Sequence, residues 1–300
     1  MTLRVSHLSR VLPTLRPPFL LLSFSCLLLA FAVIYSEQQK LSPILTVLVL
    51  LGGISAHMAV NALNEYFDYK SGLDATTVKT PFSGGSGTLN NNPQDAAHVL
   101  QLGLILMGVC AVIGLILVII RGWLLLPVGI AGLTLIWFYT THITRMPILC
   151  LIAPGLAFGP IMMMGSDWVL SGTFSVNVFI TSLIPFFLVN NLLLLNQFPD
   201  IEADKAVGRS HFPIKFGTLA SALIFFLFNL LAYLTLAIAV LLNFLPTAAL
   251  WGMLTALLSF PASIMLLTQH FNTQNLLFPM ALNVASNILT PLIIAVGVII

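Results

Sequence analysis

Long, unbroken runs of apolar residues recur along the chain, and short segments between them carry most of the polar residues. The runs are continuous rather than alternating, and apolar runs of about 18 residues or more are typical of helices that cross a bilayer. Because only helices and closed barrels satisfy their backbone inside lipid, we expect an all-α, polytopic membrane protein. Nine transmembrane helices are predicted at 19–35, 41–63, 96–120, 122–140, 146–165, 174–196, 219–243, 245–269 and 277–299.

The overall composition agrees with this pattern. Of the 300 residues, 59% are hydrophobic and 7% are charged, whereas soluble domains carry about 25% charged residues. A formal net charge of +2 without a basic run also argues against nucleic acid as a partner. The three cysteines lie in apolar stretches without metal-ligand spacing, so we interpret Cys26, Cys110 and Cys150 as small buried side chains.

The first apolar run has some features of a secretory signal peptide. Three arginines precede it, and Ala30-Phe31-Ala32 imitates a cleavage site. Eight further apolar runs follow, and the predicted topology is consistent when this run is counted as a membrane-spanning helix. We therefore predict that it stays in the protein as the first helix.

Charged residues are sorted strongly between the two sides of the predicted membrane. Nine basic residues fall on the side of the N-terminus: Arg4, Arg10, Arg16, Lys70, Lys79, Arg145, Lys205, Arg209 and Lys215. The opposite side has only Lys40 and Arg121. This positive-inside bias predicts a cytoplasmic N-terminus and an external C-terminus, in the plasma or inner membrane if the source is prokaryotic. Seven of the nine carboxylates lie on the same side as the N-terminus, which the positive-inside rule does not require.

Those carboxylates concentrate in two related clusters. One lies at 61–74, at the end of predicted helix 2, and the other at 196–205, at the end of predicted helix 6. Both contain Asn-x-x-x-Asp, and the offset from the first motif to the second is 132 residues for the Asn and for the Asp. We therefore predict a single domain, 1–300, built from two four-helix pseudo-repeats at about 19–140 and 146–269, followed by helix 277–299. Interfaces between such repeats are common places for membrane-protein sites.

The spacing inside each cluster predicts a polar face. One stripe at helical spacing comprises His57, Asn61, Asn64 and Asp68. A second stripe comprises Asn196, Asp200 and Asp204. Gly72 permits a break after the first stripe, so that Asp74 can turn towards Asp68. Pro199 similarly disturbs the end of helix 6.

Clustered carboxylates repel one another unless a cation lies among them. Hard oxygen ligands at this density suit Mg²⁺, which favours one or two carboxylates together with substrate phosphates. Basic residues lie beside the acids, namely Lys70, Lys79, Lys205 and Arg209. Acids that hold a metal and bases that hold an anion predict a metal–diphosphate site. The alternative is that these charged residues lie in solvated loops and pair with their neighbours. Two clusters that contain the same Asn-x-x-x-Asp spacing favour the metal–diphosphate site.

At these residues the chain resembles the UbiA family of intramembrane aromatic prenyltransferases, over essentially its whole length. The resemblance rests on the stretches 64–74, 80–87 and 196–209, on Arg16-Pro17 and on Tyr139-Thr140. It is most similar to the branch that prenylates 1,4-dihydroxy-2-naphthoate in menaquinone synthesis. Departures from that branch are Glu65 in place of Asp, His211-Phe-Pro after the second motif, and the absence of the usual Gly-Glu pair after helix 4.

The resemblance implies nine helices around a central cavity, with both motifs on the cytoplasmic face. It implies a polyprenyl diphosphate donor, an aromatic acceptor and Mg²⁺ as the cofactor. The implied metal ligands are Asp68, Asp74, Asp200 and Asp204, with Asn64 and Asn196 completing the shell. Lys70, Lys79, Lys205 and Arg209 would neutralise the departing diphosphate. Asp68 and Asp200 would be catalytic, Tyr139 would face the allylic cation, and Asn61 and His57 are candidate substrate contacts.

Three questions stay open at this level. The polar stripe Asn283, Asn287 and Thr290 on helix 9 either lines the cavity or bonds neighbouring helices. His142 and Arg145 either bind a substrate or are interfacial charges. A secondary transporter is the alternative function, although transporter sites lie near the membrane midplane and these carboxylates lie at helix ends. A CDP-alcohol phosphotransferase is excluded because its Asp-x-x-Asp-Gly-x-x-Ala-Arg motif is absent.

Overall fold

The computed structural model describes residues 9–77, 79–272 and 276–300, and within these ranges the chain is helical without β-strands. Its nine principal helices are α1 Leu20–Gln38, α2 Pro43–Ser71, α3 Ala96–Arg121, α4 Leu125–Thr141, α5 Pro147–Ser171, α6 Val176–Asn196, α7 Thr218–Leu241, α8 Thr247–Gln269 and α9 Leu277–Ile299. Arg4, which contributed to the charge bias, lies outside the described residues. The all-α prediction is confirmed.

Eight of these helices, counted with the short turns that extend α1 and α3, are long and apolar enough to cross a membrane in the part of the chain that is described. The exception is α4, an apolar helix of 17 residues that occupies most of the predicted segment 122–140. The protein is therefore a multi-pass integral membrane protein.

Two helices run further than the apolar pattern predicted. Helix α2 was predicted to end at 63, but it continues through the first acidic cluster to Ser71. Its end is set by Gly72, which adopts the left-handed conformation at φ 79° and opens the short helix Leu73–Thr76. Helix α5 was predicted to end at 165 and continues to Ser171. In both helices, polar residues were mistaken for a helix end although they remain compatible with helical geometry.

The second acidic cluster differs from its predicted geometry. Helix α6 ends at Asn196, and a separate helix, Ile201–Ala206, begins after Pro199. The residue before a proline is disfavoured in the α conformation, so the helix cannot pass through this point without distortion. The predicted end of helix 6 at 196 and its disturbance by Pro199 are therefore confirmed. The prediction that Asn196, Asp200 and Asp204 form one stripe at helical spacing was wrong.

Close helix contact in the centre depends on a glycine in α5. The Gly155 backbone N–H donates to Asn190 Oδ1 of α6 at 2.6 Å. A Cβ at this glycine would collide with the Phe186 carbonyl oxygen and the Asn190 side chain. Small residues allow such close approach between membrane helices. The contact holds α5 against α6, the helix that leads to the second acidic cluster.

Polar contacts also hold the two ends of the bundle. At one end, Arg10 Nε donates to Asp95 Oδ2 at 2.7 Å and ties the segment before α1 to the start of α3. At the other end, Arg121 Nε donates to the Val169 carbonyl at 2.6 Å and closes the end of α5. All the acidic-cluster residues described below lie at the first of these ends.

A cavity of about 570 Å³ lies among α1 to α6. Its walls are mostly apolar, while its polar lining consists largely of Arg16, His57, Asn61, Asn64, Tyr139, Ser166 and Asn196. Leu115 of α3 and Ile130 of α4 line this cavity and are 55% and 56% exposed. We infer that the cavity opens sideways between these two helices, towards the lipid.

Candidate active site

Helix α2 presents three polar side chains of the predicted stripe to the cavity. His57 Nδ1 lies 2.7 Å from Ser23 Oγ of α1, and its ring meets Phe158 edge-on. Asn61 Nδ2 donates to the Leu15 carbonyl at 3.0 Å. Asn64 Oδ1 accepts a hydrogen bond from the Thr140 hydroxyl at the end of α4. Three of the four residues of the stripe thus form one polar edge of the cavity.

The two acidic clusters meet through Arg209. Arg209 Nη1 donates to Asp204 Oδ1 at 2.8 Å, and Arg209 Nη2 pairs with Asp68 Oδ1. Asn196 Nδ2 of the second motif also donates to the Phe82 carbonyl, in the loop after the first motif, at 3.2 Å. Residues more than a hundred positions apart in the sequence therefore meet beside the polar end of the cavity that Arg16, Asn64 and Asn196 line, which we call its mouth.

Two carboxyl groups at this mouth hold protons more tightly than usual. Burial, together with the negative charge of Asp68, raises the pKa of Asp74 to about 7. Burial and the negative charge of Asp204 raise the pKa of Asp200 to about 7, and Asp68 contributes in the same direction. The charge of the first motif thus acts on the second, and a bound cation would favour the ionised form of both acids.

Glu65 has a different role from the other acids. It is almost fully buried, and its carboxylate accepts hydrogen bonds from the Ser86 backbone N–H at 2.9 Å and from the Ser86 hydroxyl at 2.5 Å. Arg16 Nη2 lies 3.8 Å from the same carboxylate. Gly85, with φ 72°, brings the loop close to Asp74 and Glu65, where a Cβ would crowd both side chains. Glu65 therefore anchors the glycine-rich loop 83–87 beside the acids.

Buried oxygen atoms without a hydrogen-bond partner mark where a cation would fit. Among the described residues, those of this region are Asp74 Oδ2, Asn196 Oδ1, Gln197 Oε1 and Asp200 Oδ1. A buried polar atom without a partner is costly, and these four are the hard oxygen donors that Mg²⁺ favours. No three His, Cys, Asp or Glu side chains form a complete metal site by themselves in the described ranges. The protein oxygens thus fit Mg²⁺ as a partial shell, to be completed by phosphate and water.

The four predicted cations are not equivalent. Arg209 lies among the acids, whereas Lys70, Lys79 and Lys205 are exposed. Lys70 Nζ lies 5.9 Å from the centre of the Tyr66 ring. Lys79 acts electrostatically on Asp74 and folds back over Gly87. Of these cations, Arg209 is the one that pairs directly with both motifs.

The remaining predicted residues are divided between the cavity and the helix packing. Tyr139 lines the cavity near its polar mouth. The α9 stripe bonds neighbouring helices instead, because Asn283 Nδ2 donates to the Asn191 carbonyl at 3.2 Å and Thr290 Oγ1 lies 2.7 Å from Thr255 Oγ1. The side chains of His142 and Arg145 are exposed, as interfacial charges are.

Several residues of the site were not assigned to it from the sequence. Arg16 lines the cavity, contacts Glu65 and has a left-handed backbone at φ 48°. The sequence did point to Arg16, because Arg16-Pro17 stands directly before the first apolar run. A positive charge at that position is, however, also explained by the positive-inside rule. Ser86 and Gln197 lie in the stretches on which the resemblance rests, but their contacts with Glu65 and Cys150 could not be read from the sequence.

Comparison with known proteins places this geometry in context. The chain is 27% identical over 205 residues to the 1,4-dihydroxy-2-naphthoate octaprenyltransferase of Bacillus subtilis. That match covers 67% of this chain and 64% of the relative. The chain thus spans less than two thirds of the length of this curated relative.

Solved structures share the fold at low sequence identity. A UbiA homologue from Aeropyrum pernix K1 has a TM-score of 0.67 at 18% identity, with 93% of this chain and 96% of that chain covered. A UbiA homologue from Archaeoglobus fulgidus, solved with DMAPP and Mg²⁺, has a TM-score of 0.58 at 15% identity, with 97% and 99% covered. The pattern of the UbiA prenyltransferase family matches residues 23–284, and because this is most of the chain, the protein belongs to that family.

Proposed function

We propose that this protein transfers a polyprenyl group from a polyprenyl diphosphate to an electron-rich aromatic acceptor of the quinone-precursor type. The observation that carries the proposal is the joining of two acidic motifs at the mouth of an apolar cavity. The relative from Bacillus subtilis makes 1,4-dihydroxy-2-naphthoate the first acceptor to test. The homologue that binds DMAPP and Mg²⁺ supports a prenyl diphosphate as donor.

The polar mouth would hold the donor's diphosphate. Four acids would hold Mg²⁺, with the side-chain oxygens of Asn64 and Asn196 completing the shell: Asp68, Asp74, Asp200 and Asp204. The ion would neutralise charge on the phosphate oxygens. As the donor C–O bond breaks, negative charge grows on the leaving diphosphate. A fixed cation near that charge stabilises the transition state more than the ground state. Arg209 is placed for this role, and Lys70, Lys79 and Lys205 add positive charge around the entrance.

The apolar cavity would protect the allylic cation that the departing diphosphate leaves behind. Its mostly apolar walls would keep out water, which would otherwise quench the cation. The Tyr139 ring lines the cavity near the mouth, where its π face can stabilise positive charge. The aromatic carbon of the acceptor would then form the new C–C bond, and the same ring carbon would lose the group that it carried, as H⁺ or, where a carboxylate is displaced, as CO₂. Asn61 and His57 lie deeper, where they can contact the acceptor.

The arrangement in the membrane follows from the same residues. We infer nine transmembrane helices in one domain, with the acidic mouth and the N-terminus cytoplasmic and the C-terminus outside. The positive-inside distribution supports this orientation. The repeated Asn-x-x-x-Asp motifs, and the packing of α2 with α3 and of α6 with α7, support two four-helix pseudo-repeats followed by α9.

The direct test is mass spectrometry of the products formed by purified protein. One prenyl diphosphate and Mg²⁺ are supplied with a panel of acceptors that includes dihydroxynaphthoate, hydroxybenzoate and homogentisate. We expect one prenylated product and stoichiometric release of diphosphate. Asp68→Ala and Asp200→Ala should abolish both. Retained activity in both variants would defeat the site, and absence of any product with an intact donor-binding protein would defeat the function.

A further inference from the structure

The His57 ring has one nitrogen engaged by the protein and one open to the cavity. Nδ1 lies 2.7 Å from Ser23 Oγ of α1, and Phe158 of α5 meets the ring edge-on with the centroids 4.9 Å apart. Nε2 makes no hydrogen bond to the described residues, and it is not one of their fully buried side-chain atoms without a partner. Because His57 lines the cavity, Nε2 is accessible from it.

The Ser23 hydroxyl determines which ring nitrogen carries the proton. Ser25 of the same helix donates to the Leu22 carbonyl at 2.9 Å. Ser23 is fully buried and has no such backbone partner within the described ranges, where its hydroxyl meets His57 Nδ1. A buried O–H without an acceptor is costly, so the hydroxyl donates to Nδ1. A neutral imidazole that accepts at Nδ1 carries its proton on Nε2, and the ring therefore presents an N–H donor to the cavity.

The neighbouring polar groups of the cavity wall have partners within the protein. The Ser166 hydroxyl donates to the Met162 carbonyl at 2.7 Å, and Asn61 Nδ2 donates to the Leu15 carbonyl at 3.0 Å. His57 lies four residues deeper than Asn61, which is about 6 Å along α2. The Nε2–H donor thus projects into a mostly apolar part of the cavity, where an oxygen atom of a ligand is the group that can accept it.

We propose that the Ser23–His57 pair orients the aromatic acceptor: Nε2–H of His57 donates to an oxygen atom of a dihydroxynaphthoate-type acceptor, and Ser23 is a positioning residue that fixes the tautomer. This inference rests on the proposed function and names a contact by which the protein selects its acceptor. His57 is seven residues from Asn64, about 10 Å along α2, so an aromatic ring held at His57 extends towards the mouth. An acceptor without an oxygen at this point leaves the donor buried and unpaired, which makes the contact selective.

The first test measures binding of the acceptor and of three analogues that each lack one oxygen-bearing group. The acceptor is 1,4-dihydroxy-2-naphthoate; the analogues are 1-hydroxy-2-naphthoate, 4-hydroxy-2-naphthoate and naphthalene-1,4-diol. Binding to the protein in lipid nanodiscs is followed by anaerobic calorimetry, without donor or metal, and empty nanodiscs are subtracted. We expect His57→Leu to bind the acceptor about tenfold more weakly than the wild-type protein does. One analogue should bind equally to both proteins, and the group that it lacks is the partner of Nε2–H.

The inference is overturned if His57→Leu weakens binding of all four compounds by the same factor, as a purely structural change would, or if it weakens binding of none. Product formation tests the proposed function separately. Prenylated product together with His57-independent binding would defeat the inference alone. Oxygen-dependent binding without any product would defeat the function alone.

The second test uses Ser23 and leaves the His57 side chain in place. Ser23→Ala removes the hydroxyl that fixes the tautomer, so affinity for 1,4-dihydroxy-2-naphthoate should fall about threefold. Ser23→Thr keeps a hydroxyl and should restore most of that affinity. Ser25→Ala, the matched control, removes a buried hydroxyl that bonds its own helix and should leave the affinity unchanged. Equal affinities in Ser23→Ala and the wild-type protein, or equal losses in Ser23→Ala and Ser25→Ala, would overturn the role of Ser23.

The tautomer itself is measured by ¹⁵N magnetic resonance of histidine-labelled protein, with the His57 signals assigned by their loss in His57→Leu. We expect a protonated Nε2 and an unprotonated Nδ1 in the wild-type protein, and loss of this preference in Ser23→Ala. A proton on Nδ1 in the wild-type protein would overturn the inference, because Nε2 would then have no hydrogen to donate.

Discussion

Metal binding should weaken steeply below pH 7, because two acids that would hold the ion keep their protons there. Burial and Asp68 raise the pKa of Asp74 to about 7, and burial and Asp204 raise the pKa of Asp200 to about 7. A carboxylate must be deprotonated to bind a metal, so binding releases any proton still held. Lowering the pH from 8 to 6 therefore adds the cost of removing both protons.

The size of the effect follows from the two pKa values. One unit above its pKa each group is about nine-tenths ionised, and one unit below it is about one-tenth ionised. The fraction of molecules with both groups ionised thus falls from about 0.8 at pH 8 to about 0.01 at pH 6. The apparent affinity for a divalent ion should fall by about a hundredfold across this range.

The assay is titration with Mn²⁺ alone, followed by electron paramagnetic resonance of the free ion at several pH values. Diphosphate is omitted because its own protons titrate in the same range. Asp74→Asn removes one of the two titrating groups, so its affinity should fall by only about tenfold between pH 8 and 6. A constant affinity in the wild-type protein, or an equal pH slope in Asp74→Asn, would refute the reasoning.

Three further predictions concern packing, the loop and the cation. Gly155→Ala should lower the free energy of unfolding by about 1–3 kcal/mol because the methyl group meets Asn190 and a backbone carbonyl of α6. Gly114→Ala, at a glycine with open space around it, is the matched control, and an equal drop in Tm in detergent would contradict the explanation. Glu65→Gln should raise the donor KM because the charged acceptor that holds the loop through Ser86 is lost. Ser86→Ala removes only the hydroxyl contact and should raise the donor KM less. An unchanged KM in Glu65→Gln would rule out a role of the loop in donor binding. Tyr139→Phe should keep most of the activity, whereas Tyr139→Leu should lower kcat about tenfold through loss of the ring face. Equal kinetic losses in the two Tyr139 variants would instead point to the hydroxyl.

The helices were predictable because a bilayer imposes one requirement along the whole chain. Each apolar run became a helix, since backbone groups in lipid have no other partner. The ends were less predictable, because α2 carries its acids inside the helix as far as Ser71 and stops only where Gly72 allows a left-handed turn. At the second motif, Pro199 had the larger effect and separated Asn196 from the helix that holds Asp204.

The residue types of the site were predictable, but their pairing was not. Spacing identified both motifs, and the structure joins them at one mouth of the cavity. Which acid takes which partner depends on the placement of helix ends. Arg209 reaches Asp68 across 141 positions of sequence, and Glu65 finds Ser86 across a glycine-rich turn. Such contacts have no local signal in the sequence, because each of them joins segments that only the fold brings together.

The sideways opening that we infer at Leu115 and Ile130 determines whether the bulk or the membrane concentration of the isoprenoid governs turnover. An isoprenoid that enters by this route is dissolved in the hydrocarbon phase, so its abundance relative to phospholipid sets the rate of encounter. Adding empty liposome material at constant amounts of enzyme and isoprenoid should therefore slow the reaction by surface dilution. Rates measured on this protein should therefore be compared at equal mole fraction of the isoprenoid in the lipid bilayer.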